Sequence, residues 1–374
     1  MTQTALYQRL ALVDAHLGVY NGAETVAAFT DSMSELRALV SGCGVFDLGW
    51  RARILVTGED RARWLNGMVT NNVKDLPPHR GNYNFLLSPQ GRTLADMYIY
   101  NAGDALLLDT DHSQLEKVMK TLEHFIIMDD VELKESSLNA IGLCGPKAVQ
   151  VLAAAGMDAS GLQPLEIRDV GDPTHASLLR GPEQKPNWYE IWELQGRQQQ
   201  QPQHPQEAQH LSTTERTKEH GEKRAEIKEL WDRLVKAGAQ PVGSDALELW
   251  RIMQGIPRYG QDIRERDLPP ETEQNQALNF TKGCYVGQEI VERIRSRGQV
   301  HRKFTGFEFQ DSLPQPGKFE EQGRVMGEIT SVAEISGKKV GLGYVRRETG
   351  VPGAKFNIGG TVATIMNLPF EINT

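Results

Sequence analysis

Two strand-like runs, Asn82 to Leu87 and Thr93 to Tyr100, close around Ser88-Pro89-Gln90-Gly91. A Pro-x-Gly turn between such runs predicts a β-hairpin, and a hairpin commits its two strands to antiparallel pairing. Ala105 to Asp109 continues as a third strand, and His112 to Ile126 follows as a helix. Upstream, Asp31 to Val40 reads as a helix, with Ser32 and Glu35 at capping-box spacing and Gly42 closing it. Ala52 to Thr57 alternates like a strand, and Gly58-Glu59-Asp60 opens a helix carrying Trp64 and Leu65. Downstream, Leu138 to Cys144 reads as a strand, and Pro146 stands as a first helical residue before Ala148 to Leu152. Ala176 to Arg180 and Trp188 to Leu194 then pair as strands. This order predicts an α+β fold with mainly antiparallel sheets.

At 374 residues the chain exceeds one ordinary core, and two or three domains are expected. From about 195 to 222 the composition turns to Gln, His and Pro with few large apolar residues; this is a flexible insertion rather than core. His204, His210 and His220 fall there with nothing to position them as metal ligands. A helix resumes by Glu226, with Ile227, Leu230, Trp231 and Leu234 on one face. Beyond Gln299, short runs separated by Gly and Pro predict a small β-barrel domain. The expected boundaries are residues 1–298 for an α+β region of two subdomains and 299–374 for the barrel. Gly341-Leu342-Gly343-Tyr344 lacks the third Gly and the following helix of a dinucleotide fingerprint.

The formal net charge of −8 argues against a nucleic-acid binder. Three widely spaced cysteines, Cys43, Cys144 and Cys284, suit reduced thiols in the cytosol. No basic, then apolar, leader opens the sequence, and no apolar run approaches the ~20 residues that span a bilayer. A soluble, cytoplasmic protein without membrane partners is expected.

Lys282-Gly283-Cys284-Tyr285-Val286-Gly287-Gln288-Glu289 sets a lone thiol in a loop bracketed by glycines, just ahead of a predicted helix. The helix N-terminus and Lys282 would both favour a thiolate. Ile290, Val291 and Ile294 fall at helical spacing, Glu289 and Arg293 pair at i,i+4, and Gly298 is a stop. A lone Cys is more often a small buried hydrophobe than a reagent, although two flanking glycines imply backbone shapes that a generic core segment does not need.

This octet resembles the signature of the YgfZ-type folate-binding proteins, relatives of the glycine-cleavage T-protein (aminomethyltransferase) that support iron–sulfur cluster assembly. Gly44 to Leu48, Met68 to Val73, and Tyr83 to Gly91 leading into Asp96 resemble motifs of that superfamily. So do Arg251 to Asp262, Pro269 to Thr272, Gly327 to Ser331, Gly341 to Val345 and Leu368 to Phe370. The resemblance covers nearly the whole chain apart from the Gln-rich insertion. It implies a T-protein-like folate-binding fold ending in a small β-barrel, with tetrahydrofolate or a one-carbon derivative as cofactor.

By resemblance, Glu190 is the acid that accepts the pterin's adjacent donors, a charge-assisted pairing; the alternative is a strand-edge acid facing water. Tyr189 and Trp188 are stacking candidates or core. Arg251 is a cofactor-contacting cation or half of a surface salt bridge. Asn71, Tyr83 and Lys282 complete the cofactor-binding set, and Asp96 matches the acid near the folate nitrogen that accepts the one-carbon unit. The aminomethyltransferase branch carries two adjacent acids on that strand, where this chain has Ala95-Asp96, and a Glu where this chain has Met253. The resemblance therefore implies a folate-binding factor for assembly or repair of iron–sulfur client proteins, with Cys284 central, whereas Asp96 is the base or nitrogen-positioning acid of a transferase reading. A folate-dependent one-carbon transferase and a non-catalytic folate-binding module are the alternatives. Three dispersed cysteines do not make a resident cluster site, which generally takes four ligands, and no metal is expected.

Overall fold

The computed structural model describes residues 2–4, 6–7, 15–136, 138–170, 176–193, 227–298 and 300–374. The Gln-rich insertion and its three histidines lie outside them. The chain crosses three times between two compact units, Met1–Arg51 with Ser137–Ser244, and Ala52–Ser136 with Asp245–Thr374.

The first unit is built on a six-stranded sheet in the order Ile167–Val170, Ala176–Arg180, Trp188–Glu193, Ala140–Cys144, Gly44–Asp47, Gln240–Pro241. All its pairs are antiparallel except the last. One face packs Val45, Leu143, Leu178, Tyr189 and Ile191 against Val151, Leu152, Trp231 and Leu234 of two helices. The helix Ser32–Ser41 is capped one residue earlier than its sequence suggests. Asp31 accepts from Ser34 N, while Glu35 turns inward and accepts from the amides of Phe29, Thr30 and Gly243. A buried carboxylate holding three amides is more useful there than a capping box. Pro146 likewise sits in the turn before the helix Ala148–Ala154 rather than inside it.

The second unit holds a five-stranded sheet in the order Gly81–Leu87, Thr93–Asn101, Leu106–Asp111, Arg51–Thr57, Glu132–Ser136. The expected hairpin forms, with Gly91 in the left-handed region at φ 70° and its amide 2.8 Å from Ser88 O. Ala95, Met97 and Ile99 face a core completed by Trp64, Leu65, Val118 and Leu122. Strand alternation turns Asp96 to the other face.

From Arg302 the unit continues as six antiparallel strands in the order Gly317–Glu321, Arg324–Ile335, Lys338–Arg346, Arg302–Phe309, Thr361–Met366, Lys355–Ile358. The two edge strands approach each other, so the barrel nearly closes over Phe307, Phe319, Ile329, Val345, Phe356 and Ile365. Among the described residues, no helix is long and apolar enough to cross a membrane.

Candidate functional site

Most of the residues singled out in the second unit are joined by hydrogen bonds. Tyr83 and Asp96 are diagonal neighbours on the hairpin's two strands, where Tyr83 pairs with Tyr98 and Asp96 with Phe85. The Tyr83 phenol donates to Asp96 Oδ2 at 2.6 Å, and Gln114 Nε2 donates to Asp96 Oδ1 at 2.8 Å. Gln114 also accepts from the Asp96 amide at 3.0 Å, so this buried side chain holds both ends of the residue. Burial first, and then the Asp96 charge, push the Tyr83 phenol well above its ordinary range, which keeps it a donor. Gln114 carries no sequence signal for this role; only the close of the strand Leu106–Asp111 brings it under Asp96.

Asn71 connects this pair to the octet. Its side-chain amide donates to Tyr83 O at 3.1 Å and to Gln276 O at 2.9 Å, and its amide nitrogen donates to buried Asn84. Its carbonyl accepts from Lys282 Nζ at 2.7 Å, together with the carbonyls of Asn66 at 2.6 Å and Val69 at 2.7 Å. Three acceptors match the three donors of an ammonium, whereas a neutral amine has only two. Burial pushes Lys282 down to about 7, and the carbonyl tripod works in the opposite direction, holding the charged form through three short contacts.

The thiol's surroundings differ from expectation. The helix is Gln288–Arg297, beginning four residues after Cys284, and a helix dipole acts mainly within its own first turn. Lys282 aims its donors at carbonyls. Neither source of positive charge is therefore arranged around the sulfur. Instead the loop is pinned on both sides: Lys282 N donates to Asn279 Oδ1 at 3.0 Å, and Val286 N to Gly67 O at 3.1 Å. Gly287 caps the helix at φ 82°, so close to the hairpin turn that a Cβ there would lie 2.6 Å from Ser88 O. Val291 is fully buried, Glu289 and Arg293 form an exposed pair at 3.4 Å, and Gly298 stops the helix in the left-handed region. Cys284 is exposed. Cys43 and Cys144 are buried, and burial pushes the Cys43 thiol up to about 12 and Cys144 higher still.

Arg251 belongs to a different network. Its guanidinium donates to both oxygens of Glu248 at 2.6 and 2.9 Å, to Asp262 Oδ2 at 2.7 Å, to Ile256 O at 2.6 Å and to Ser331 Oγ at 3.0 Å. This buried cation holds its helix to the loop and to the C-terminal sheet. It is not a weak surface pair.

Glu190 lies in the first unit, on a central strand and 7% exposed. It is not a strand-edge acid facing water. Its two oxygens accept the indole N–H groups of Trp188 and Trp192, each at 2.8 Å. Trp188 shares its face and packs on Phe46 with ring centroids 4.6 Å apart. Tyr189 points to the opposite face, into the core.

The family model of the GCVT N-terminal domain matches residues 6–170. The chain superimposes on the crystal structure of glycine cleavage system aminomethyltransferase T from Bartonella henselae with a TM-score of 0.82, covering 99% of this chain and 98% of that one at 19% identity. The chain has the T-protein fold. It is also 27% identical over 316 residues to an aminomethyltransferase of Herpetosiphon aurantiacus, covering 82% of this chain and 78% of the relative. An aminomethyltransferase of Bacillus subtilis is 24% identical over 344 residues, 88% of this chain and 87% of the relative. Within this T-protein fold, Ala95 lies in the apolar core, so a second acid beside Asp96 would need to be buried there.

Proposed function

We propose that this protein binds tetrahydrofolate or a one-carbon derivative and supports assembly or repair of iron–sulfur client proteins, with Cys284 as the functional thiol. The observation that carries this reading is the position of Cys284: an exposed thiol on a loop held rigid by Lys282, and linked through Asn71 and Tyr83 to Asp96. A thiol kept only for packing would be buried, as Cys43 and Cys144 are. The iron–sulfur cluster is cargo in this reading; among the described residues no three His, Cys, Asp or Glu side chains group as a metal-binding set.

The acids suit the cofactor's chemistry. An ionised carboxylate offers about four acceptor sites. Glu190 gives one to each indole and Asp96 one each to Tyr83 and Gln114. The Asp96 carboxylate keeps acceptor capacity for ligand N–H groups. Trp188, which shares the face of Glu190 and packs on Phe46, is the stacking candidate of this reading. Arg251 acts through positioning, since its donors are engaged inside the protein. Bound folate would supply the one-carbon and redox chemistry of its ring; the protein's part is to bind and orient it.

A folate-dependent aminomethyltransferase is the second reading. The Asp96 carboxylate, held by two donors, favours it, as do relatives that bear this name. Expression of Cys284→Ala in a deletion strain separates the two. The first reading expects iron–sulfur enzyme activities to stay low; full restoration would overturn it. Turnover of methylene-tetrahydrofolate with an aminomethylated carrier, lost in Asp96→Asn and kept in Cys284→Ala, would establish the second.

A further inference from the structure

The C-terminal sheet carries a cavity of about 410 Å³ lined by His301, Arg302, Lys318, Val325, Met326, Gly327, Glu328, Tyr344 and Arg346. Register explains why these side chains meet. Lys318 pairs with Glu328, Glu328 with Tyr344, and, one pleat along, Arg302 with Arg346. Cross-strand partners share a sheet face, and this face is the one opposite the barrel core of Phe319, Ile329 and Val345.

Charge in the cavity is unevenly balanced. Arg302 is neutralised by Asp267 at 2.6 Å and Glu271 at 3.0 Å, and Glu328 by Arg264 at 3.0 Å and Arg266 at 2.5 Å. Lys318 and the His301 side chain form no ion pair among the described residues. Arg346 uses Nε on Val325 O at 2.7 Å and stands 3.8 Å from exposed Glu348. The excess is positive. Tyr344 provides an independent sign of a ligand: the residue is fully buried, and its hydroxyl has no hydrogen-bond partner. Buried polar groups are normally satisfied, and this one belongs to a residue that lines the cavity.

We propose that this cavity binds a phosphoryl group carried by a small molecule with an apolar body. Lys318, Arg346 and the Tyr344 hydroxyl on the sheet, with His301 just before its strand Arg302–Phe309, are donors of four different shapes from separate positions. Such a set suits a multiply charged tetrahedral oxyanion better than a planar carboxylate, which is best met by one open guanidinium fork; the fork of Arg302 is already filled. Exposed Val325 supplies apolar wall for the remainder of the ligand, backed by Met326, which is shared with the barrel core.

Phenyl phosphate is the probe, titrated calorimetrically into the full chain beside benzoate and inorganic phosphate. Saturable one-to-one binding of phenyl phosphate is expected, with benzoate and inorganic phosphate each about tenfold weaker. Lys318→Gln and Arg346→Gln should each weaken binding by about tenfold. Tyr344→Phe should weaken it while leaving the melting temperature unchanged, because its hydroxyl holds nothing in the protein. Tetrahydrofolate affinity should be the same in Lys318→Gln as in the wild type, which keeps this test separate from the folate reading. Absence of saturation, or wild-type binding by all three variants, would overturn the site. Equal affinity for benzoate would overturn the phosphoryl assignment, and equal affinity for inorganic phosphate the apolar body.

Discussion

The ammonium of Lys282 sits 2.7 Å from the carbonyl oxygen of Asn71, a residue 211 positions earlier in the chain. With the carbonyls of Asn66 and Val69 it forms a tripod that ties the Cys284 loop to the strand bearing Tyr83. The cation is used as a clamp two residues from the thiol.

Removing that clamp should cost stability. Lys282→Met leaves three carbonyls without their charged donor and should destabilise the protein by about 3 kcal/mol. Lys282→Arg should not restore it, because a planar fork cannot reproduce a three-donor tripod. Urea unfolding of both variants is the check; a loss below about 0.5 kcal/mol in Lys282→Met would mean that the ammonium is merely solvated.

Gly287 should tolerate no side chain. Its φ of 82° and the 2.6 Å approach of a Cβ to Ser88 O predict that Gly287→Ala costs about 2 kcal/mol or more. Faster reaction of Cys284 with a bulky maleimide should accompany it, as the loop lifts from the hairpin turn. Unchanged stability and labelling rate would contradict this packing.

Glu190→Gln replaces one acceptor oxygen by an amide donor facing an indole N–H. One of the two bonds at 2.8 Å is lost, and a loss of about 2 kcal/mol is expected. Shifts of the Trp188 or Trp192 indole proton in an NMR spectrum would report it directly. Folate affinity should fall as well; unchanged indole shifts and unchanged affinity would together dismiss the assigned role.

Asp47 gives a pH dependence of definite sign. Burial raises its carboxyl to about 6, while an unfolded Asp titrates near about 3.9. Between those values the folded state holds a proton that the unfolded chain has released. Stability therefore falls as pH rises through that window, by roughly 3 kcal/mol in all, and is level above it. Asp47→Asn should remove this slope. Parallel stability profiles for wild type and variant from about pH 4 to 7 would show that the carboxyl is not buried as described.

What could be read from sequence, and what could not, follows the range of the interactions. The hairpin of Tyr83 and Asp96, the helix Arg61–Asn66 and the stop at Gly298 depend on neighbours in the chain, and local patterning exposes them. Glu35 looked like a capping-box partner and Lys282 like a thiol activator, because local spacing says nothing of a distant amide or carbonyl. Backbone acceptors leave no mark in a sequence. The buried network of Arg251 is hidden from local spacing for the same reason, since Asp262 and Ser331 reach it from loop and barrel. Gln114 carries no local mark, because an amide two residues into a helical turn looks ordinary until Asp96 stands above it.

The most direct test joins two readouts on one variant, Cys284→Ala. Calorimetric titration with tetrahydrofolate should give an affinity within about twofold of wild type, since an exposed thiol supports little of the fold. The same variant should fail to restore iron–sulfur enzyme activity in a deletion strain. Full restoration, or loss of folate binding together with activity, would contradict the assignment of Cys284 as a functional thiol on an intact folate-binding scaffold.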